Sequence, residues 1–139
     1  MPFVDTDVLA ESYAGKSIAE IFSQDGEDSF RQAESAVLKS IAADNVVVAC
    51  GGGTPLAKGF DEFCKGAVVV WLKVDASSVA ERLGNPARPL FDGMSVAEIE
   101  TTICHRNDLY QKYAELSVDT SKRTSAEVAR EVVALLRRT

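Results

Sequence analysis

A chain of 139 residues that is 46% apolar and 26% charged has the make-up of one ordinary globular domain, long enough to bury a core and too apolar for a disordered segment. Its formal net charge of −6 argues against a nucleic-acid partner, which calls for a basic excess. No run approaches the roughly 20 apolar residues of a membrane span, and no basic-then-apolar leader precedes Pro2, so a cytoplasmic protein without a membrane partner is expected. Cys50, Cys64 and Cys104 are odd in number and lack metal spacing, which predicts reduced, mostly buried thiols; His105 reads as a helix residue beside Arg106.

Strands and helices alternate along the chain with no repeat and no long linker. Phe3-Val4 predicts a short strand, and 6–14 a short helix stopped by Gly15. Ser17-Ile-Ala-Glu20 has capping-box spacing and opens a second helix ending at Gly26. From Glu27 to Ala43 an amphipathic helix is expected, because Phe30, Ala33, Val37, Leu38 and Ile41 recur on one face. Asp44-Asn45 turns into Val46-Val-Val-Ala-Cys50, a β-branched run that predicts a buried strand, broken by Gly51-Gly52-Gly53. A modest helix over 55–65 and the most apolar strand of the chain over 67–74 follow. Asp75 caps a helix to about Leu83, and a loop rich in Gly and Pro occupies 84–93. Ser95-x-x-Glu98 starts the longest helix, to about Glu115; 116–119 is a short strand, and Thr124-x-x-Glu127 caps the last helix. The alternation predicts parallel strands joined by helical crossovers, an α/β three-layer sandwich in a single domain.

Several residues carry chemistry, each with a plainer alternative. Glycines at the carboxyl end of a strand let a ligand reach bare backbone, although such a turn is also common as structure alone. Asp5 and Asp7 share a face if both are extended; they would then hold Mg²⁺ or accept a proton from a hydroxyl, or else serve as turn and helix cap. Arg31 and Glu34 are three apart, with Glu34 inside the apolar stripe. They form either a surface ion pair or a buried pair whose arginine grips a carboxylate. Arg82, Arg88 and Arg106 lie around the 84–93 loop, which suits a polyphosphate-binding lid or an ordinary solvated loop. Gly15-Lys16-Ser17 is not the end of a phosphate loop, since Ala10 stands where that pattern needs Gly and a helix precedes it.

Taken together, Phe3-Val-Asp-Thr-Asp7, Gly15-Lys-Ser-Ile-Ala-Glu-Ile-Phe22, Gly26-Glu-Asp-Ser-Phe-Arg31-Gln-Ala-Glu34, Gly51-Gly-Gly53, Arg88-Pro-Leu90 and Arg106-x-x-Leu-Tyr110 resemble the shikimate kinases in kind and order. The resemblance implies a P-loop, nucleoside monophosphate kinase-like fold. It also implies transfer of the γ-phosphoryl group of ATP, with Mg²⁺, to the 3-hydroxyl of shikimate on the route to chorismate and the aromatic amino acids. By position it makes Asp7 the carboxylate that meets the shikimate hydroxyls and takes the attacking proton, and Asp5 the one near Mg²⁺. Arg31 and Arg106 would hold the substrate carboxylate, with Glu34 orienting Arg31. Gly52 and Gly53 would present backbone to the ring, and Phe22 and Phe30 would line its apolar side. Arg88, within a lid at about 84–93, would reach the transferring phosphoryl group, and Arg82 and Arg123 would pack near adenine.

The chain departs from the family pattern in three places. No proline precedes Leu109-Tyr110, and the spacing from Arg82 to Arg88 is one residue short. The family pattern also opens with a strand, a Gly-x4-Gly-Lys-Ser/Thr loop and a helix, and residues 1–139 contain none of these in that order. That strand would be central in the sheet, so the resemblance implies two inner edges without a partner in this chain, repaired by a further segment or by oligomerisation. The alternatives are a homologue that binds shikimate or a partner protein without catalysis, and a kinase-like protein for another small hydroxy acid.

Overall fold

The computed structural model describes residues 1–41, 45–82 and 95–139. They fall into two compact units, one over Met1–Lys65 and the other from Gly66 onward.

In the first unit β1 (Phe3–Asp5) runs directly into α1 (Thr6–Ala14), followed by α2 (Ile18–Gln24), α3 (Glu27–Ser40) and β2 (Val47–Ala49). A 3-10 turn (Thr54–Leu56) and α4 (Phe60–Phe63) complete it. β1 and β2 pair in parallel, Phe3 opposite Val47 and Asp5 opposite Ala49. The core lies among α1, α2 and α3, where Ala10, Ile18, Ile21, Phe30, Ala33 and Val37 are buried together. Local chemistry sets the ends of these helices. Gly15 closes α1 in a left-handed conformation at φ 71°. Ser17 and Glu20 form the expected capping box on α2, and Lys16 pairs with Asp25 rather than lying open as a phosphate-loop lysine would. Glu27 and Asp28 sit in the first turn of α3 and Lys39 in its last, matching the helix dipole.

The second unit holds β3 (Val70–Lys73), α5 (Ala76–Arg82), α6 (Val96–Tyr113), β4 (Leu116–Asp119) and α7 (Ser125–Leu136). β3 and β4 are parallel, Val70 opposite Leu116 and Lys73 opposite Asp119. Val79, Ile99, Val118 and Val128 are buried in this unit. Asp75 Oδ1 accepts from Ser78 N at 2.7 Å, Ser95 Oγ from Glu98 N and Thr124 Oγ1 from Glu127 N, so all three predicted caps are made.

The structure corrects four expectations. The helix predicted over 55–65 is a 3-10 turn and a single α-turn, separated by Gly59 at φ 93°, a conformation that no helix interior accommodates. The strand predicted over 67–74 is ordered as β over four residues only. The β-branched run at 46–50 is not buried: Val47 is exposed and Val48 and Ala49 are half-buried, because a ladder of two strands covers little of either face. The cysteines are free as expected, but Cys50 and Cys104 are exposed and Cys64 is intermediate. The loop at 84–93, with Arg88, lies outside the described residues, as does the 42–43 end of the predicted third helix.

Candidate active site

The carboxyl end of the β1–β2 ladder gathers the residues singled out in the first half of the chain. Asp5 ends β1 and caps α1, its Oδ1 accepting from Asp7 N at 2.8 Å and Val8 N at 3.4 Å. Asp7 is therefore in the first turn of a helix and not on an extended strand; of the two readings of Asp5 and Asp7, the structure gives the helix cap and not the shared strand face. Asp7 instead lies against Gly51: a Cβ added there would stand 2.5 Å from its Oδ1.

Across the glycine loop, Arg31 on α3 occupies the space that a side chain at Gly53 would need, with Nη1 2.5 Å and Cζ 2.6 Å from an added Cβ. Arg31 is held on its own helix by two carboxylates. Nη1 donates to Glu34 Oε1 at 2.5 Å and Nη2 to Glu27 Oε1 at 3.0 Å. Its guanidinium also lies over the Phe30 ring, 5.3 Å from the centroid, a favourable cation–π arrangement. Phe30 is in the core and stacks obliquely on the half-buried Phe22, centroids 5.0 Å apart. Glu34 is 1% exposed. Of the two readings of the Arg31–Glu34 pair, the structure therefore gives the buried one. A carboxylate this deep needs both oxygens matched, and its second oxygen, Oε2, accepts from Thr54 Oγ1 at 2.8 Å.

The third side of the site is electrostatic. Desolvation around its sulfur first, then the negative charge of Cys64, Glu34, Asp5 and Asp7, push the Cys50 thiol up to about 11, although Cys50 as a residue reaches solvent. One thiol at the end of β2 thus senses the three carboxylates that the sequence singled out here. Asp5 has Oδ1 committed to the helix cap, and among the described residues no group of three or more His, Cys, Asp or Glu is arranged to hold a metal ion. What remains is Oδ2 of Asp5, which suits a Mg²⁺ that keeps water and phosphate as its other ligands.

Three contributors were not singled out in the sequence: Thr6, Thr54 and Glu27. Glu27 was within reach, since Glu four residues before Arg on a helix is the favoured pairing order. The others depend on chain approach across the fold.

The remaining predicted site residues belong to the second unit. Arg106 is half-buried on α6. Arg123 follows β4, donating to Asp119 O at 2.8 Å and pairing with Glu131 at 2.5 Å. Arg82 closes α5.

An anchored arginine beside Gly53 and a carboxylate beside Gly51 thus flank bare glycine backbone. The shikimate kinase family model covers residues 1–137. The chain belongs to the shikimate kinase family. It is 37% identical over 139 residues to a shikimate kinase of Rhodococcus jostii (strain RHA1), spanning 98% of this chain and 83% of that one. It is 36% identical over 137 residues to that of Mycobacterium avium (strain 104), spanning 96% and 78%. Among solved structures, shikimate kinase from Acinetobacter baumannii in complex with shikimate superposes with a TM-score of 0.85 at 26% identity, covering 99% of this chain and 79% of the other. The Aquifex aeolicus enzyme gives 0.77 at 30%, covering 99% and 80%. The fold is thus the α/β P-loop kinase-like fold with parallel strands and helical crossovers, and the family is one of ATP-dependent kinases of a small molecule. No helix among the described residues is long and apolar enough to cross a membrane.

Proposed function

We propose that this chain acts as a shikimate kinase, transferring the γ-phosphoryl group of ATP to the 3-hydroxyl of shikimate in the cytoplasm. The observation that carries the reading is the buried Arg31–Glu34 pair set against Gly53, opposite Asp7 set against Gly51. Shikimate is a carboxylate bearing hydroxyls, and a fixed guanidinium opposite a carboxylate reads both groups. Among the described residues two of the five N–H donors of Arg31 are engaged, which leaves donors for a substrate carboxylate. Arg106 is its proposed second partner. Asp7 accepts from the hydroxyls and takes the proton of the one that attacks, while Gly52 and Gly53 bring backbone close to the ring and Phe22 and Phe30 give it an apolar wall. Arg88, in a lid at about 84–93, reaches the transferring phosphoryl group, and Arg82 and Arg123 pack near adenine. Mg²⁺ beside Asp5 would neutralise charge on the transferring phosphate. In this reading the two units act as one kinase domain.

The phosphates of ATP need a nest of backbone N–H groups and a lysine, and residues 1–139 contain no Gly-x4-Gly-Lys-Ser/Thr. We therefore assign that cradle to a strand, loop and helix supplied from outside these residues. The exposure of Val47, Val68 and Leu72, branched apolar side chains in or beside the two ladders, supports a further strand in the working enzyme.

The test is shikimate-dependent ADP formation from MgATP, by the 139-residue chain and by the same chain preceded by the strand, phosphate loop and helix of a shikimate kinase. Turnover is expected in the extended form alone, and Arg31→Ala in that form should raise KM for shikimate more than KM for ATP. A folded but silent extended form contradicts the kinase reading. Turnover by the short form contradicts the assignment of the cradle.

A further inference from the structure

Glu34 is more than the partner of Arg31. It terminates a chain of buried hydrogen bonds whose direction can be deduced by counting protons. Thr54 Oγ1 lies 2.8 Å from Glu34 Oε2 and 3.3 Å from Thr6 Oγ1, and Gly51 N donates to Thr6 Oγ1 at 3.0 Å. An ionised carboxylate only accepts, so the single proton of Thr54 goes to Glu34. Thr6 must then give its own proton to Thr54, and it accepts from Gly51. The bonds all run one way, from Gly51 N–H through Thr6 and Thr54 to Glu34, whose other oxygen receives Arg31 Nη1. Thr6 and Thr54 are both 0% exposed, so water offers no substitute partner. Such an aligned, desolvated chain holds its members in one arrangement.

We propose that Thr54 is a positioning residue: through Glu34 it sets the angle at which Arg31 presents its guanidinium to an anionic ligand, and through Thr6 it ties that grip to the glycine loop and Asp7. Without the Thr54 hydroxyl, Glu34 Oε2 loses its donor, and the carboxylate gains a reason to rotate and take Arg31 with it. Gly51, fixed by Thr6, is also the residue whose missing side chain makes room for Asp7. The anion grip and the hydroxyl-reading carboxylate are therefore held in register by two threonine hydroxyls buried beneath the glycine loop's contacts. This inference rests on the reading above that Arg31 meets the substrate carboxylate.

The test compares the full chain with Thr54→Val, Thr54→Ser and Thr54→Ala by two readouts. The first needs no ligand: nitrogen-15 relaxation of the Arg31 Nε–H group. Arg31 is expected to be rigid in the parent and in Thr54→Ser, and mobile in Thr54→Val. The second is calorimetric affinity for shikimate and for its methyl ester, which lacks the carboxylate charge. Thr54→Val should lose about tenfold in affinity for the acid, the scale of an unmatched buried acceptor, with the ester unchanged and Thr54→Ser restoring the acid. Thr54→Ala replaces Thr54→Val if the latter does not fold. Equal loss for acid and ester, or a rigid Arg31 in Thr54→Val, overturns the proposal. Should the parent not distinguish acid from ester, the reading of Arg31 as the substrate grip fails, and the ligand-free mobility of Arg31 then decides the role of Thr54 by itself.

Discussion

A methyl group at position 53 would stand 2.5 Å from Arg31 Nη1 and 2.6 Å from its Cζ, so the bare backbone there is what lets the guanidinium lie against the glycine loop. A long side chain ordinarily swings away from such an intrusion. Arg31 is restrained, because moving it breaks its bond to Glu34, a buried carboxylate with no water to turn to. Gly53→Ala is therefore expected to weaken shikimate binding by about 10–100-fold, the worth of a charged hydrogen bond or two, as measured by calorimetry on a variant whose circular dichroism is unchanged. Unaltered affinity would show that the ligand does not depend on Arg31 in this place. The Arg31–Glu34 pair was legible in the sequence because both residues lie on one helix and Glu34 interrupts an apolar stripe. Its second support was not legible: Thr54 is twenty residues further on, and its approach to Glu34 is fixed only when the glycine loop folds against α3. Asp5 and Asp7 were open to two readings, and the helix cap is the one the structure shows. Spacing two apart places Asp7 on the face of Asp5 only while the chain stays extended, and here the helix begins at Thr6.

At the level of elements, the helix caps and the parallel pairing of strands were read correctly, and the extents of some elements were not. Asp75, Ser95 and Thr124 cap their helices as their spacing predicts, since a cap is a bond between near neighbours. The extents of β3 and of the helix around Gly59 depend on pairing and on backbone conformation, which hydrophobic periodicity does not encode. Two of these element ends carry a pH dependence. Asp75 is held below its ordinary carboxyl value of 3.8 first by the Ser78 backbone N–H, and Asp119 likewise by that of Ser121. Both give up protons more readily folded than unfolded. Their contribution is therefore fully present above the ordinary carboxyl range and is lost as pH falls through it towards the folded values. The thermal unfolding temperature of the parent should accordingly fall on acidification below about pH 4, and Asp75→Asn with Asp119→Asn should flatten that acid limb. An unchanged limb in the double variant would show that these two caps do not supply it.

For the whole molecule, family membership rests on a match along residues 1–137, and the architecture around it is two compact units, each built on a parallel pair of strands. The first unit alone brings together Asp7, the glycine loop, Arg31, Glu34 and their threonine supports. The central claim is that this assembly binds shikimate. The most direct measurement is a titration of the chain with shikimate followed by its backbone amide resonances and the Arg31 Nε–H signal. Saturable shifts at Gly51, Gly52, Gly53 and Arg31, abolished by Arg31→Ala in a chain that keeps its dispersed spectrum, are the predicted result. A dispersed spectrum that shikimate leaves unmoved at these residues would contradict it.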